Sequence, residues 1–341
     1  KESGLDHDAF VRTSLRDDLK WMISQTAPSY ARIVGAHSRV PSLLQRTLAA
    51  YPSQDDWLMS PLVDRYGVVL DEAPRNPAAI AMAFDGLAGA AGGRGWSLRT
   101  RPSVRSDDLR FLTWLAFSRG ARSAAYGDLP SDSAFVKVVT RNPALFAELR
   151  PVPAAVAILY DPRSGAAAEE SLASVYEALF RRNIAADFLH TGELSLAAMK
   201  RHRVLVVPGA TAASAAAALK EFSSAGGLVI HLDERTPFDD AMVARLSKAG
   251  AVPEARVGGG DGLVETRFLQ SARVLMLIAL NHSTRPARVT LTFKLETQEA
   301  IWQNMETGAG VNFIAGPDGP TYTYFFRPRD ALVLMIRTDI R

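Results

Sequence analysis

Cysteine is absent from this chain of 341 residues, which excludes disulfides, thiolate catalysis and every zinc site with a cysteine ligand. Long apolar runs are absent too: the nearest, Val274–Leu280, has the length of a strand, whereas crossing a bilayer takes about 18–20 residues. The polar and acidic start of the chain does not resemble a signal peptide. We therefore expect a soluble chain with no membrane partner, in a compartment that the sequence leaves open.

Lysine is scarce as well. Only 7 of the 39 basic residues are lysine, and the 32 arginines are scattered without a basic stripe that has interleaved aromatic residues. A nucleic-acid-binding surface would show such a stripe, so no nucleic-acid partner is expected. The six histidines do not have the spacing of metal ligands. We therefore predict no metal and no cofactor.

Length and composition predict a globular protein of several domains. With 48% hydrophobic and 22% charged residues, the chain has enough apolar side chains for a core in each domain. At ~100–200 residues per domain, two or three domains are expected. The pattern of apolar residues changes twice, which divides the chain into 1–150, 151–256 and 257–341.

Residues 1–150 alternate helix and strand patterns. The helix patterns cover Phe10–Gln25, Ser42–Ala50, Pro77–Ala91 and Ser106–Arg119. The strand candidates are Ala31–His37, Val63–Leu70, Trp96–Arg101 and Arg122–Gly127. Four such (βα) units are half of a TIM barrel. Apolar strand residues such as Ile33, Val68 and Leu70 are predicted to face inward and to need the other half of the barrel as a cover.

The pattern of residues 151–256 predicts a flavodoxin-like three-layer α/β/α domain. Continuous apolar runs such as Val204–Val207 are typical of strands buried on both faces. The strand candidates are Ala154–Tyr160, Ala186–Leu189, Arg203–Val207 and Leu228–Leu232. The helix patterns are Ala167–Arg181, Ala212–Ser223 and Asp239–Lys248. No serine or cysteine occupies a sharp strand-to-helix turn, which favours an assembly role over catalysis in this domain.

Residues 257–341 predict a small antiparallel β-sandwich, because short alternating segments follow one another between turn residues. The strand candidates are Leu263–Leu269, Val274–Asn281, Ala287–Leu295, Ala300–Gln303, Val311–Ile314, Tyr322–Phe326 and Ala331–Ile336. The preceding Gly258–Gly260 is not followed by a helix with a Lys-Ser/Thr pair, so it is interpreted as a linker and not as a phosphate loop.

This order of half barrel, flavodoxin-like domain and sandwich resembles the domain plan of GH42-type beta-galactosidases. The stretch Val63–Pro74, VDRYGVVLDEAP, resembles the family's barrel strand with its acidic loop, and Leu112–Ala121, LTWLAFSRGA, resembles a late barrel helix. The middle domain resembles the family's trimerisation domain. Asn281–Ser283 and Glu306–Gly308 are similar to C-terminal sandwiches of several glycosidase families. The resemblance implies the C-terminal half of such an enzyme.

The sequence departs from the family at the catalytic positions. The family's acid/base glutamate lies in an Asn-Glu pair, and no Asn-Glu dipeptide occurs in this chain. The nucleophile strand corresponds to Trp96–Ser103, where the glutamate position falls on or beside Arg99. The family's zinc-binding cysteines cannot be present. The resemblance therefore implies a hydrolase that is inactive or incomplete in this chain alone.

Barrel sites form at the carboxyl ends of the strands, and a retaining glycosidase needs two carboxyl groups there. The candidate catalytic acids at this rim are Asp71, Glu72 and Asp128. Asp71 and Glu72 are either catalytic or a solvated pair of loop acids. Asp128 either binds a sugar hydroxyl, caps the following segment or pairs with Arg99.

Three other rim residues are candidates for substrate binding. His37 and Tyr126 lie at strand ends, and Arg99 either clamps an anionic sugar or forms a structural ion pair. Trp96 and Trp114 form either a sugar-stacking platform or part of the core.

We expect a carbohydrate ligand and a homo-oligomer, a trimer by the resemblance, or a further segment that completes the barrel. The main hypothesis is a beta-galactosidase-like glycoside hydrolase. The alternative is a non-catalytic carbohydrate-binding or oligomerisation scaffold derived from that family.

Overall fold

Four sheets organise the part of the chain that the structure describes. The computed structural model describes residues 43–47, 57, 60, 65–70, 76–127, 133–161, 166–208, 212–232, 238–253, 255–260, 263–293 and 302–337. Two of the sheets are parallel with four strands each, and the antiparallel sheets have six and three strands. No helix within these ranges is long and apolar enough to cross a membrane.

The first sheet is a partial barrel of four consecutive parallel strands in the order β1-β2-β3-β4. Its strands are β1 Leu43–Thr47, β2 Arg65–Leu70, β3 Trp96–Thr100 and β4 Ala121–Tyr126. Helix α1 Pro77–Ala91 connects β2 to β3, and α2 Ser106–Phe117 connects β3 to β4. After β4 come α3 Ala134–Arg141, α4 Pro143–Glu148 and the short strand β5 Arg150–Pro151.

Local signals at both ends fix α1 at the predicted residues. The Asn76 side chain accepts hydrogen bonds from the backbone N–H of Ala78 at 3.0 Å and Ala79 at 3.3 Å. Pro77 supplies a first helical residue with a preset φ. Gly92 then ends the helix at φ +56°, in the left-handed region that glycine occupies without strain.

The predicted helix Ser42–Ala50 is wrong, because β1 occupies Leu43–Thr47 and pairs in parallel with β2. The leucine spacing there fits a helix, but pairing with β2 overrides local propensity. The predicted strand Ala31–His37 and helix Phe10–Gln25 lie outside the described residues.

The covered face of the first sheet is the one toward its own helices. Val68 and Leu70 are buried in one core with Phe84 of α1 and Leu112 of α2. The prediction that Val68 and Leu70 face into the barrel is therefore wrong, because these apolar residues supply the contact with the helix layer. Ser97 and Arg99, which alternate with the apolar residues of β3, lie on the opposite face.

The second sheet has parallel strands in the order β7-β6-β8-β9, which confirms the flavodoxin-like prediction. Its strands are β6 Val156–Tyr160, β7 Ala186–His190, β8 Val204–Pro208 and β9 Leu228–Leu232. Its helices are α5 Ala166–Phe180, α6 Leu196–Met199, α7 Ala212–Ser224 and α8 Asp240–Lys248. One face packs on α5, α8 and α1, and the other packs on α6 and α7. The three-layer domain thus takes one helix from the partial barrel.

The remaining two sheets pack as the predicted β-sandwich. The six-stranded sheet, in the order β15-β14-β17-β12-β11-β5, adds β11 Val264–Gln270, β12 Val274–Asn281, β14 Trp302–Asn304, β15 Gly310–Val311 and β17 Ala331–Arg337. The three-stranded sheet, in the order β10-β13-β16, contains β10 Ala255–Gly258, β13 Ala287–Phe293 and β16 Thr321–Phe326. Strands β5 and β10 are not among the predicted strands; they pair with β11 and β13 across the ends of the predicted regions.

The six-stranded sheet is buried on both faces. Met276 and Ile278 of β12 pack in the core that contains α2, whereas Leu277 and Ala279 pack against the three-stranded sheet. The layers therefore run from the first parallel sheet through α2 and the six-stranded sheet to the three-stranded sheet. This order places the barrel edge and the outer surface of the sandwich at opposite ends of the stack.

Candidate active site and buried ion cluster

The carboxyl ends of β1 to β4 lie at one edge of the first sheet, since the strands are parallel. This edge is where barrel enzymes place their active sites. Asp71 and Glu72 follow β2 directly in sequence and Asp128 follows β4 after one residue, but these acids and His37 lie outside the described residues. Arg99 and Tyr126 are the two predicted site residues that the structure describes.

Arg99 is exposed on β3, one residue before the carboxyl end of the strand. In register it lies between Val69 of β2 and Ala125 of β4. Within the described part of the chain, no hydrogen bond or ion pair involves its guanidinium. A permanently charged guanidinium at this position can bind a carboxylate or another anionic group of a ligand.

The side chain of Tyr126 lies on the helix-covered face of the first sheet, opposite the face that presents Arg99. Its hydroxyl is 2.6 Å from Thr113 Oγ1 of α2, and its ring meets Phe135 of α3 edge-on. Burial raises the pKa of Tyr126 to about 12. Residues of β4, α3 and α4 around it line a cleft of about 760 Å³. The structure therefore separates Tyr126 from Arg99, although their strands are neighbours.

Both candidate stacking tryptophans belong to the core. Trp96 is 2% exposed and donates from Nε1 to the backbone oxygen of Arg119 at 3.0 Å. Trp114 is fully buried and donates from Nε1 to Glu306 Oε1 at 2.7 Å. Glu306 also accepts from Arg110, which in turn pairs with Asp330. These contacts of Trp114, Arg110, Glu306 and Asp330 anchor α2 to the sandwich.

A larger set of polar residues, none of them predicted as a site from the sequence, forms what we call the buried ion cluster. It joins all three parts of the fold: helix α1 and the turn after α2, helix α5, and strand β11 with the residue after β12. Its members are Asp85, Arg119, Tyr176, Glu265, Arg267 and His282.

Two carboxylates and two guanidiniums alternate in the buried ion cluster. Arg119 lies 2.6 Å from Glu265 Oε1 through Nη2 and 3.2 Å from Asp85 Oδ1 through Nε. Arg267 lies 2.7 Å from Asp85 Oδ2 and 2.9 Å from Glu265 Oε1. The formal charges of these four groups cancel, which is the condition under which buried charges are tolerated.

The other two members complete the hydrogen bonding of the carboxylates. Tyr176 donates its hydroxyl proton to Asp85, and His282 Nε2 lies 2.9 Å from Glu265 Oε2. Nδ1 of His282 is buried and has no hydrogen-bond partner among the described residues. Neutral His282 therefore donates through Nε2 to Glu265, which fixes the tautomer with Nδ1 unprotonated.

Burial and ion pairing act in opposite directions on the two carboxyl groups. Burial raises the pKa of Asp85 above its usual value although Arg119 and Arg267 oppose the shift. For Glu265 burial also acts upward, but Arg119, Arg267 and the hydrogen bond from His282 hold its pKa well below the usual value. Burial lowers the pKa of His282, although the negative charge of Glu265 acts to raise it.

The buried ion cluster has perturbed carboxyl groups but no access for a substrate. The side chains of Asp85 and Glu265 are only 4% and 6% exposed, and that of Arg119 is fully buried. We therefore assign it an architectural role. In the described part of the chain, no group of three His, Asp or Glu side chains could hold a metal ion.

No protein-family model and no curated protein matches the chain. Solved structures do. A catalytic mutant of Gan42B, a GH42 beta-galactosidase from G. stearothermophilus, superposes with a TM-score of 0.64 at 12% identity, over 94% of this chain and 68% of that chain. The beta-galactosidase from Bacillus circulans sp. alkalophilus gives 0.65 at 14% identity, over 87% and 64%.

This chain has a beta-galactosidase-like fold. A cold-adapted beta-galactosidase from Rahnella sp. R3 gives the same result, with a TM-score of 0.59 at 11% identity over 92% of this chain and 66% of that one. The chain spans about two thirds of the length of these solved proteins. At these identities the likeness is one of fold, and it confirms the glycoside hydrolase architecture expected from the sequence.

Proposed function

We propose that this chain is the C-terminal part of a glycoside hydrolase of the beta-galactosidase type and that it does not hydrolyse β-galactosides alone. The observation that carries the proposal is the partial barrel joined to a three-layer domain and a sandwich in a beta-galactosidase-like fold. The solved proteins of this fold include beta-galactosidases, so β-galactosides are the first substrate class to test.

The chemistry of the reaction explains why we propose inactivity. A retaining glycosidase needs two carboxyl groups ~5–5.5 Å apart, one as acid/base and one as nucleophile. The resemblance assigns the nucleophile position to the neighbourhood of Arg99, and a guanidinium stays protonated and cannot attack. The Asn-Glu pair that would supply the acid/base is absent from the sequence. An exposed Arg99 still allows an anionic sugar to bind.

Hydrolysis of a nitrophenyl β-galactoside tests the proposal. We expect no turnover above a blank, because loss of one carboxylate of a catalytic pair costs orders of magnitude in rate. Turnover that survives repurification and disappears in Glu72→Gln would contradict the proposal and identify Glu72 as catalytic. Glu177→Gln is the matched control, because Glu177 is an exposed acid of α5.

We also propose that the chain works in an assembly, as a trimer through the three-layer domain or with a further segment that completes the barrel. Ala216 and Ala217 of α7 are exposed, and such small side chains let another helix approach closely. This arrangement also fits the alternative function, a non-catalytic carbohydrate-binding scaffold. A monomer by light scattering at micromolar concentration would contradict the trimer.

A further inference from the structure

The three-stranded sheet of the sandwich has one face toward the core and one face toward solvent. Val289 and Leu291 of β13 and Tyr322 and Tyr324 of β16 pack inward. The residues that alternate with them form what we call the outer sheet face. Strand pairing places its members side by side: Arg256, Gly258, Arg288, Thr290, Thr292, Thr321, Thr323 and Phe325.

The outer sheet face is cationic. Arg256 and Arg288 are both exposed, and none of the eight residues is acidic. Within the described residues, neither guanidinium takes part in an ion pair or hydrogen bond. Two cationic side chains with no acid between them on one flat surface give a local positive potential, which favours a negatively charged ligand.

An aromatic ring lies beside one of these charges. Phe325 is 61% exposed, although apolar rings of this size are normally buried. It is the cross-strand partner of Arg288 in the pairing of β13 with β16. Side chains in such pairs are close enough to act together on one ligand. The ring can stack on the C–H face of a sugar, and the neighbouring guanidinium can donate two hydrogen bonds to the acidic group of that sugar.

Hydroxyl groups fill the centre of the face. Thr290 and Thr323 form another cross-strand pair, with their Oγ1 atoms 3.0 Å apart. Each hydroxyl can both donate and accept a hydrogen bond, which suits the hydroxyl groups of a sugar. Gly258 lies next to Thr290 and has no side chain to obstruct the surface.

The spacing of the charges indicates an extended ligand. Arg256 pairs with Thr292, which is four residues from Arg288 along β13. At ~3.4 Å per residue along the strand and ~4.8 Å between neighbouring strands, the two arginine backbone positions are about 14 Å apart. One small anion cannot contact both, whereas a chain with repeated acidic groups can.

We propose that the outer sheet face binds an acidic polysaccharide, such as a uronate polymer. The site is separate from the barrel edge, since α2 and the six-stranded sheet lie between them. Self-association through this face is disfavoured, because a symmetric contact sets the same patch against itself and brings arginines together. The proposal does not depend on catalysis by the barrel.

Affinity electrophoresis tests this with polygalacturonate, neutral galactan or polyglutamate in the gel. We expect the intact chain to be retarded by polygalacturonate, with added salt weakening the retardation. Arg288→Ala and Phe325→Ala should each weaken binding by about tenfold, because each removes one contact to the same sugar unit. Arg288→Lys should restore only part of the affinity, since it keeps the charge and loses the fork.

Arg273→Ala is the matched control, because Arg273 is an exposed arginine in the turn before β12. It makes the same change in net charge and should bind like the unmodified chain. Three results would overturn the proposal: no retardation by polygalacturonate, equal weakening by Arg273→Ala, or equal retardation by polyglutamate or galactan. Self-association at low salt that Arg288→Ala abolishes would assign the face to a second copy instead.

Discussion

The two parallel sheets have four strands each, but they differ in how their faces are covered. Every residue of β6 and β8 in the three-layer domain is buried. In the partial barrel, β3 buries four of its five residues, and Arg99, on the face away from the helices, is the exposed one. The three-layer domain thus covers both faces with its own helices and α1, whereas the partial barrel presents charge on the face away from its helices. A charged residue on an otherwise buried strand is therefore a feature of the partial barrel and not of the central strands of the three-layer domain.

The helix α1 connects these two sheets. It packs Phe84 and Leu87 against the partial barrel and Ala81 and Met82 against the three-layer domain. Asp85 of the same helix enters the buried ion cluster. The partial barrel therefore takes part of its stability from contacts with the rest of the chain.

The largest expected effect comes from breaking the buried ion cluster. Glu265→Ala should lower the free energy of unfolding by ~3–5 kcal/mol, because Arg119 and Arg267 would keep buried charges without their shared partner. Urea denaturation measures the loss. Glu177→Ala, which breaks the exposed pair with Arg181, should cost at most ~1 kcal/mol. Equal losses in the two variants would show that the cluster does not hold the parts together.

A matched pair of core substitutions tests whether the sheets are equivalent where both are covered. Leu98 of the partial barrel is 1% exposed and Leu205 of the three-layer domain is fully buried. Leu98→Ala and Leu205→Ala should each cost ~2–5 kcal/mol, the range for truncating a buried leucine. A loss near zero for Leu98→Ala, measured by the same denaturation, would contradict the packing of the partial barrel on α1 and α2.

A smaller effect should appear as a pH dependence that comes from His282. Burial lowers the folded-state pKa of His282 below the unfolded value. Glu265 acts to raise this pKa, whereas the positive charges of Arg119 and Arg329 lower it further. The unfolded chain therefore binds the proton more readily as pH falls through about 6.5. Stability should fall over that range by at most ~1.4 kcal/mol per pH unit for one proton. His282→Gln should remove this slope, and an unchanged slope would contradict the assignment.

How far the sequence predicts the fold depends on how local each signal is. Helix α1 has the predicted bounds because Asn76, Pro77 and Gly92 mark its ends, and β12 has them because its apolar run is continuous. Strands β5 and β10 escape prediction because two and four residues show no reliable alternation. Proline also disfavours strands except at edges, where β5 lies.

The buried ion cluster was not predictable from sequence pattern. Arg119 is separated in sequence by 34 residues from Asp85 and by 146 from Glu265, so no local spacing brings them together. Its one local signal is a set of charges where an apolar side chain is expected: Arg119 after the apolar end of α2, and Glu265 with Arg267 on one face of β11. The rim acids Asp71, Glu72 and Asp128 stay predictions.

The smallest expected effect completes the comparison of the two sheets. Arg99→Ala should change the free energy of unfolding by no more than ~0.5 kcal/mol, since Arg99 is exposed and has no ionic partner among the described residues. Leu98→Ala, one residue away on the covered face, is its internal control. A loss above ~1 kcal/mol for Arg99→Ala would show that the face is packed against another segment or a second copy. Repeating the denaturation at several protein concentrations distinguishes these cases, because only a contact between copies makes the loss depend on concentration.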